Sequence, residues 1–427
     1  MTRRFTLLLA LLVPLAAPAR AQLDPASFAT MFPADVRAPG QAPGVTVLSR
    51  ARPEYKALPL ELGPLLLRPG LDLGVGYDSD PAGLPGAHGS PETLLAPSLA
   101  AGAGWEDAHL ALALGATDHR RTADPALDYT DWTLGGGLRL DGARTRLTLS
   151  AVSRALHEDG STIGALPTDR PLAWQLTAAR AGLRWSDGIV SLTPALDFAI
   201  FRYADAVLGG VGLSQADRNR DILRPGLTAR YALDPGTDLV VAIRDTVTSY
   251  TAPTAGQPSR DSNAVTALTG FQDGADAMLR WRLLAGWEVR RFAGYGTRAG
   301  PVLAAQAIWQ PNGMTTVTAT LSRRMEDAAQ EGVAGYTATA GTLRLDREAW
   351  RNLILSAGFG AEHAAFTDGT REDAGSARFA ARWLLNRRMR LTASESVTAL
   401  DGATSVLLPG GRRVTRSVSL LRLGFGW

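Results

Sequence analysis

From residue 67 onward, apolar and small or polar side chains alternate in segments of about ten residues, the period-two pattern of a strand with one greasy and one wet face. In WTLGGGLRL, Trp132, Leu134, Gly136, Leu138 and Leu140 share one face; Thr133, Gly135, Gly137 and Arg139 share the other. In LRWRLLAGWEVRRF, Trp281, Leu283, Ala285, Trp287 and Val289 oppose Arg280, Arg282, Glu288 and Arg290. In ARFAARWLL, Phe379, Ala381, Trp383 and Leu385 oppose Arg378, Ala380 and Arg382. The pattern predicts eighteen strands, with sixteen as the alternative count, near 67–77, 93–104, 108–117, 128–140, 144–156, 172–185, 189–203, 219–233, 238–250, 263–271, 277–293, 301–310, 315–324, 336–345, 352–364, 376–385, 389–399 and 415–427. Strand 172–185 departs from the alternation at Arg180 and Arg184, which predicts a bulge or a shifted register.

The links alternate in length. DGA (141–143), SDG (186–188), DPGT (234–237), PNGM (311–314) and NRR (386–388) are short and carry tight-turn chemistry. HEDGSTIGALPTDRP (157–171) and ADAVLGGVGLSQADRNR (204–220) are long and polar. A bilayer offers no water to unpaired backbone groups, so strands that cross it must close into a barrel. Such barrels have short periplasmic turns, long outer loops and an even strand number. The predicted fold is all-β: a transmembrane antiparallel up-and-down barrel over residues 67–427.

The flanks agree. Residues 1–21 combine Arg3 and Arg4, a short apolar run, and Ala19-Arg20-Ala21, the pattern of a secretory signal peptide cleaved after Ala21. Residues 22–66 are Pro-rich without a steady period and read as a periplasmic leader, extended or disordered. At the other end, Leu421, Leu423, Phe425 and Trp427 form an apolar stripe, read as the lipid face of the closing strand. That stripe also resembles the C-terminal signal that outer-membrane barrels show to the barrel assembly machinery. Export, no cysteine and no apolar run long enough for a spanning helix together predict the outer membrane of a Gram-negative cell.

Chemistry narrows the reading further. Histidines 88, 109, 119, 157 and 363 are scattered without metal-ligand spacing. No nucleophile elbow or phosphate loop is present, so the expectation is no enzyme, no cofactor, no metal and no nucleic acid. DSD (78–80) and RED (371–373) read as solvated loop acids rather than calcium ligands. The net charge is +3, and of 44 Lys plus Arg only Lys56 is lysine, which leaves 43 arginines. On the lipid face each would cost roughly 2–4 kcal/mol near the midplane, so alternation assigns them to the lumen. The predicted lining is Arg139, Arg146, Arg230, Arg244, Arg280, Arg282, Glu288, Arg290, Arg324, Arg378, Arg382 and Arg422, with Asp72, Asp197 and Glu288 as the clearest acids.

One stretch carries a family resemblance. Arg52-Pro53-Glu54-Tyr55 followed by Gly76-Tyr77-Asp78-Ser79, and later IWQPNGMTTVTATLSRRMED (308–327), resemble the putative β-barrel porin type 2 family, with Asp80 where Asn is usual. The resemblance implies an outer-membrane channel and brings no catalytic residues. The expected function is passive diffusion of small hydrophilic, anionic solutes through an arginine-rich lumen. Alternatives are a conduit exporting an anionic exopolysaccharide and a closed structural or surface barrel. Expected partners are outer-membrane lipid and lipopolysaccharide, the assembly machinery, and further copies in a homotrimer.

Overall fold

The computed structural model describes residues 45–84, 86, 88–273, 278–330, 332–402 and 411–427. The cleavage positions Ala19 and Ala21 and the leader residues 22–44 lie outside the described residues.

Eighteen long strands form one antiparallel barrel. They are β1 (Leu65–Asp78), β2 (Ser90–Gly104), β3 (Ala108–Arg121), β4 (Tyr129–Asp141), β5 (Thr145–Glu158), β6 (Leu172–Ser186), β7 (Val190–Tyr203), β8 (Arg220–Asp234) and β9 (Thr237–Tyr250). Then follow β10 (Ser262–Asp273), β11 (Leu279–Phe292), β12 (Gly296–Asn312), β13 (Thr315–Asp327), β14 (Gly335–Trp350), β15 (Leu353–Phe366), β16 (Arg371–Leu384), β17 (Met389–Gly402) and β18 (Arg412–Gly426). Each pairs with its neighbour in the chain, and β1 closes the ring against β18 with Leu71 opposite Phe425 and Val75 opposite Leu421. A three-residue segment, Leu60–Leu62, adds to the periplasmic end of β1.

The short turns form as their residues dictate. Asp187 Oδ1 accepts from the Ile189 and Val190 amides at 3.0 and 2.7 Å. Asn386 Oδ1 accepts from Arg388 and Met389 at 2.8 and 3.0 Å. Gly188 and Gly236 take φ of 100° and 123°, which L side chains rarely adopt. Strand β12 begins at Gly296, five residues before the expected start at 301, because Gly296 at φ 74° lets the chain turn through 293–295 alone.

Outward faces are apolar and exposed: Val75, Leu134, Ile243, Trp287 and Phe359 each keep about half their surface open, ready for lipid. The break expected at Arg180 and Arg184 is absent. Register runs unshifted from Glu158 opposite Leu172 to Thr145 opposite Trp185, and Arg180 pairs with Asp197. The pattern misleads there because the inner face of β6 is itself apolar at its outer end. Leu172, Trp174, Leu176 and Ala178 point inward and pack with Phe201, Tyr203, Ile222 and Leu156 in a fully buried cluster. The interior is therefore filled on the β5–β8 side. Trp174→Ala should cost about 3–5 kcal/mol of stability by loss of burial and a residual cavity. Denaturant unfolding in detergent micelles tests this; an unchanged midpoint would mean the cluster does not hold the wall.

Candidate functional site

All twelve residues of the predicted lining lie on inward-facing positions, opposite in parity to exposed apolar neighbours such as Leu140, Tyr231, Ile243, Leu283, Leu321, Trp383 and Leu421. They are not equivalent. At the periplasmic end, Arg139 and Arg146 share Asp141 at 2.7 and 2.5 Å. Arg280 donates to Gln310 at 3.0 Å. Towards the outer end, Arg290 and Arg324 are buried and paired with Asp327 and Glu326. Glu288 accepts from the Thr266 hydroxyl at 3.2 Å. Arg378 and Arg422 line a cavity of about 650 Å³ against β1–β5 and β13–β18, together with Asp72, Arg154 and Arg416.

Acids are more numerous inside than the sequence reading gave. Asp78, Asp80 and Glu372, read as solvated loop acids, are buried instead. Asp78 receives Arg416 Nε and Nη2 at 2.9 and 2.7 Å, with Arg121 at 3.5 Å. Glu92 faces Arg121 and His119 at 3.7 and 3.5 Å. Asp327 binds Arg220 at 3.1 Å as well as Arg290. Arginines also lie over rings: Arg218 over Tyr203 at 4.0 Å, Arg220 over Phe201 at 4.4 Å and Arg260 over Tyr250 at 4.6 Å. These groups sit at strand ends, where two or three residues give no readable period.

The loop between β5 and β6 was also missed. Residues 159–171 fold inward. Gly164 N donates to Glu372 at 2.7 Å, and Arg412 Nη2 donates to the Thr162 carbonyl at 2.9 Å. Ile163 is buried with Tyr336, Phe366, Leu400 and Val414 on the far wall. The one signal available was apolar Ile163, Ala165 and Leu166 inside a polar link. Arg416 reaches Asp159 at the loop's start. Burial alone would raise the Asp159 carboxyl; Arg416 overrides it and holds the group below the usual carboxylate range. A lowered folded pKa stabilises above the unfolded value of about 4, and that stabilisation is lost as pH falls through the folded one. The loop should therefore loosen only below about pH 4, and Asp159→Asn should loosen it at pH 7. Bilayer recordings at both pH values check this; an acid-insensitive conductance, or a silent Asn variant, contradicts it.

In the periplasmic half the balance shifts to arginine. Arg230 has Arg184 and Arg282 as like-charged neighbours, with Asp238 the nearby acid. Across the barrel, Arg382 has Arg390, Arg422 and Arg344 close by, with Asp346. Arg390 is held by Asp72 at 2.7 Å. Arg184, Arg344 and Arg390 were not among the predicted lining.

Below this band, residues 45–57 line the periplasmic mouth along the wall from β12–β14 to β18. Val47, fully buried, donates its amide to Thr316 at 3.0 Å on β13. Arg52 Nη2 meets Glu348 of β14 at 2.5 Å, while Nη1 holds the Val47 carbonyl at 2.9 Å. Glu54 meets Arg351 at 2.6 Å. The chain then passes Ala57, which lies against Gly426 of β18, and joins β1. So Arg52-Pro53-Glu54-Tyr55 is the anchor of a strap.

A closed antiparallel barrel with an apolar outer face and a polar interior is of the outer-membrane type. A family model described as putative beta-barrel porin 2 matches residues 52–406, and the chain belongs to that family. Similar solved structures include OccAB2 of Acinetobacter baumannii, 12% identical over 85% of this chain and 98% of that one, TM-score 0.43. OccK9 (OpdG) of Pseudomonas aeruginosa is 13% identical over 85% and 98%, TM-score 0.44. OpdK of the same organism, crystallised with vanillate, is 10% identical over 84% and 99%, TM-score 0.43. No curated protein matches the chain. The family description is that of a β-barrel porin of the outer membrane.

Proposed function

We propose that the protein is a diffusion channel for small anionic solutes. The observation that carries this reading is the periplasmic-half band of Arg184, Arg230, Arg282, Arg344, Arg382 and Arg422, in which arginine outnumbers the acids beside it. Guanidinium groups bind carboxylate and phosphate bidentately and replace the water such a solute sheds. The solute passes the infolded loop 159–171, enters the cavity beside Arg154, Arg378 and Arg422, and crosses the band. No covalent step is involved. The infolded loop and the strap favour small solutes over a polymer strand.

The test is ion selectivity in planar bilayers under a salt gradient. The wild type should prefer chloride over potassium. Replacing Arg230, Arg282 and Arg382 together with Gln should lower that preference several-fold, since the lumen field scales with its fixed charge. A cation-preferring wild type, or a triple variant with unchanged selectivity, overturns the proposal. Silent bilayers count against any channel.

A further inference from the structure

The wall of the internal cavity carries an apolar bed. On the inner face of β18, Val418 and Leu420 stand between Arg416 and Arg422, and all four line the cavity. On the inner face of β2, Leu94 and Ala96 line it too. β1 runs between them and carries no side chain at this height. Its inward residues there are Gly74, between Leu94 and Arg422, and Gly76, opposite Leu420. A Cβ at Gly74 would stand 3.1 Å from Arg422 Cγ, 3.2 Å from Leu94 Cβ and 3.5 Å from Leu420 Cδ1. A Cβ at Gly76 would meet Leu420 Cδ1 at 2.9 Å. The two glycines are a floor over which the side chains of both neighbouring strands lean.

Charge bounds this bed at both ends. At the outer end, Arg416 is bound to Asp78 at 2.7 Å and to Asp159 of the infolded loop. At the periplasmic end, Arg422 keeps a buried Nε–H without a hydrogen-bond partner. Asp72, the acid that acts on Arg422, is itself bridged by Arg390 at 2.7 Å. An apolar bed in a wet conduit gains free energy when an apolar body covers it. A guanidinium with an unmatched N–H gains when a carboxylate meets it.

We propose that the bed is a binding subsite for a monocarboxylate with an aliphatic body. The carboxylate meets the Arg422 guanidinium, and the hydrocarbon lies outward along Leu420 and Val418, with Leu94 across Gly74. From Val418 to Arg422 the strand advances roughly 13 Å, room for a chain of about six carbons. The inference rests on the diffusion-channel reading above and narrows its solute from hydrophilic anions to amphipathic ones. A dicarboxylate of the same length fits worse, because its second charge would lie against leucine.

Hexanoate and acetate carry the same charge and differ in the body alone, so they test the bed apart from the anion selectivity. In equilibrium dialysis against the full barrel in micelles at neutral pH, hexanoate should bind at least roughly tenfold tighter than acetate, since each covered methylene adds up to about fourfold. Variants in the same detergent correct for uptake by the micelles. Arg422→Gln should weaken both acids, whereas Leu420→Ser should bring the two close to equal. Val418→Thr keeps the shape of the side chain and should cut the preference in part, which guards against a Leu420 variant that does not fold. In planar bilayers, hexanoate should reduce the chloride current at a concentration at least roughly tenfold below acetate. Equal binding of the two acids, tighter binding of succinate than of hexanoate, or an unchanged preference in the Leu420 and Val418 variants overturns the subsite, even in a pore that prefers chloride. A cation-preferring pore that binds hexanoate through Arg422 and Leu420 supports the subsite and overturns the anion selectivity instead.

Discussion

Single-channel conductance should rise, roughly two-fold, when residues 45–57 are deleted, because the strap they form occupies the periplasmic mouth beside β12–β14. The same rise is expected from Arg52→Ala alone. Arg52 and Glu348 are both more than nine-tenths buried, and Arg52 also holds the Val47 carbonyl. Removing one partner of a buried charge pair costs up to about 3–5 kcal/mol, and less here because Arg50 at 3.5 Å and Arg351 at 3.7 Å stay beside Glu348. Swinging the strap out relieves that cost by wetting Glu348. Glu348→Gln should act in the same direction but more weakly, since its amide can still accept from Arg52. The measurement is conductance in planar bilayers, wild type against deletion and point variants. Equal conductances would show that solutes pass beside the strap rather than through the space it occupies.

A stability loss as large as that of Trp174→Ala should come from Asp327→Asn. Asp327 of β13 holds two buried arginines, Arg220 of β8 and Arg290 of β11, at the outer end. Losing its charge removes the anion the two cations share in a buried site and leaves Glu288 as the acid near Arg290, at about 3–5 kcal/mol. Urea unfolding of the refolded barrel in micelles reads the difference. The pair variant Asp327→Asn with Arg290→Gln should recover a good part of it, because fewer uncompensated charges remain. A shift of less than about 1 kcal/mol, or no recovery in the pair, would mean water already solvates the site.

The barrel was legible because its two strongest signals are local. Alternation places Trp287 outside and Glu288 inside whatever the rest of the chain does. Asn386 and Asp187 build their own turns from amides two and three residues on. The arginines of mid-strand followed from parity for the same reason. What escaped is long-range. Asp159 meets Arg416 across 257 positions, and Arg52 meets Glu348 across 296. No period links such residues. Trp174 and Leu176 escaped differently: alternation separates two faces only when one is polar, and at the outer end of β6 both are apolar or small.

Seventeen of the eighteen long ladders join strands consecutive in the chain; the last joins Leu71 to Phe425. That contact has the greatest sequence separation available, and contacts of this kind form slowly because so much chain must first be ordered. Until it forms, β1 and β18 are raw edges, open to pairing with any stray strand. Maturation of this protein therefore turns on one late stitch, and a chaperone that shields those two edges would protect it more than one that binds anywhere else along the polypeptide.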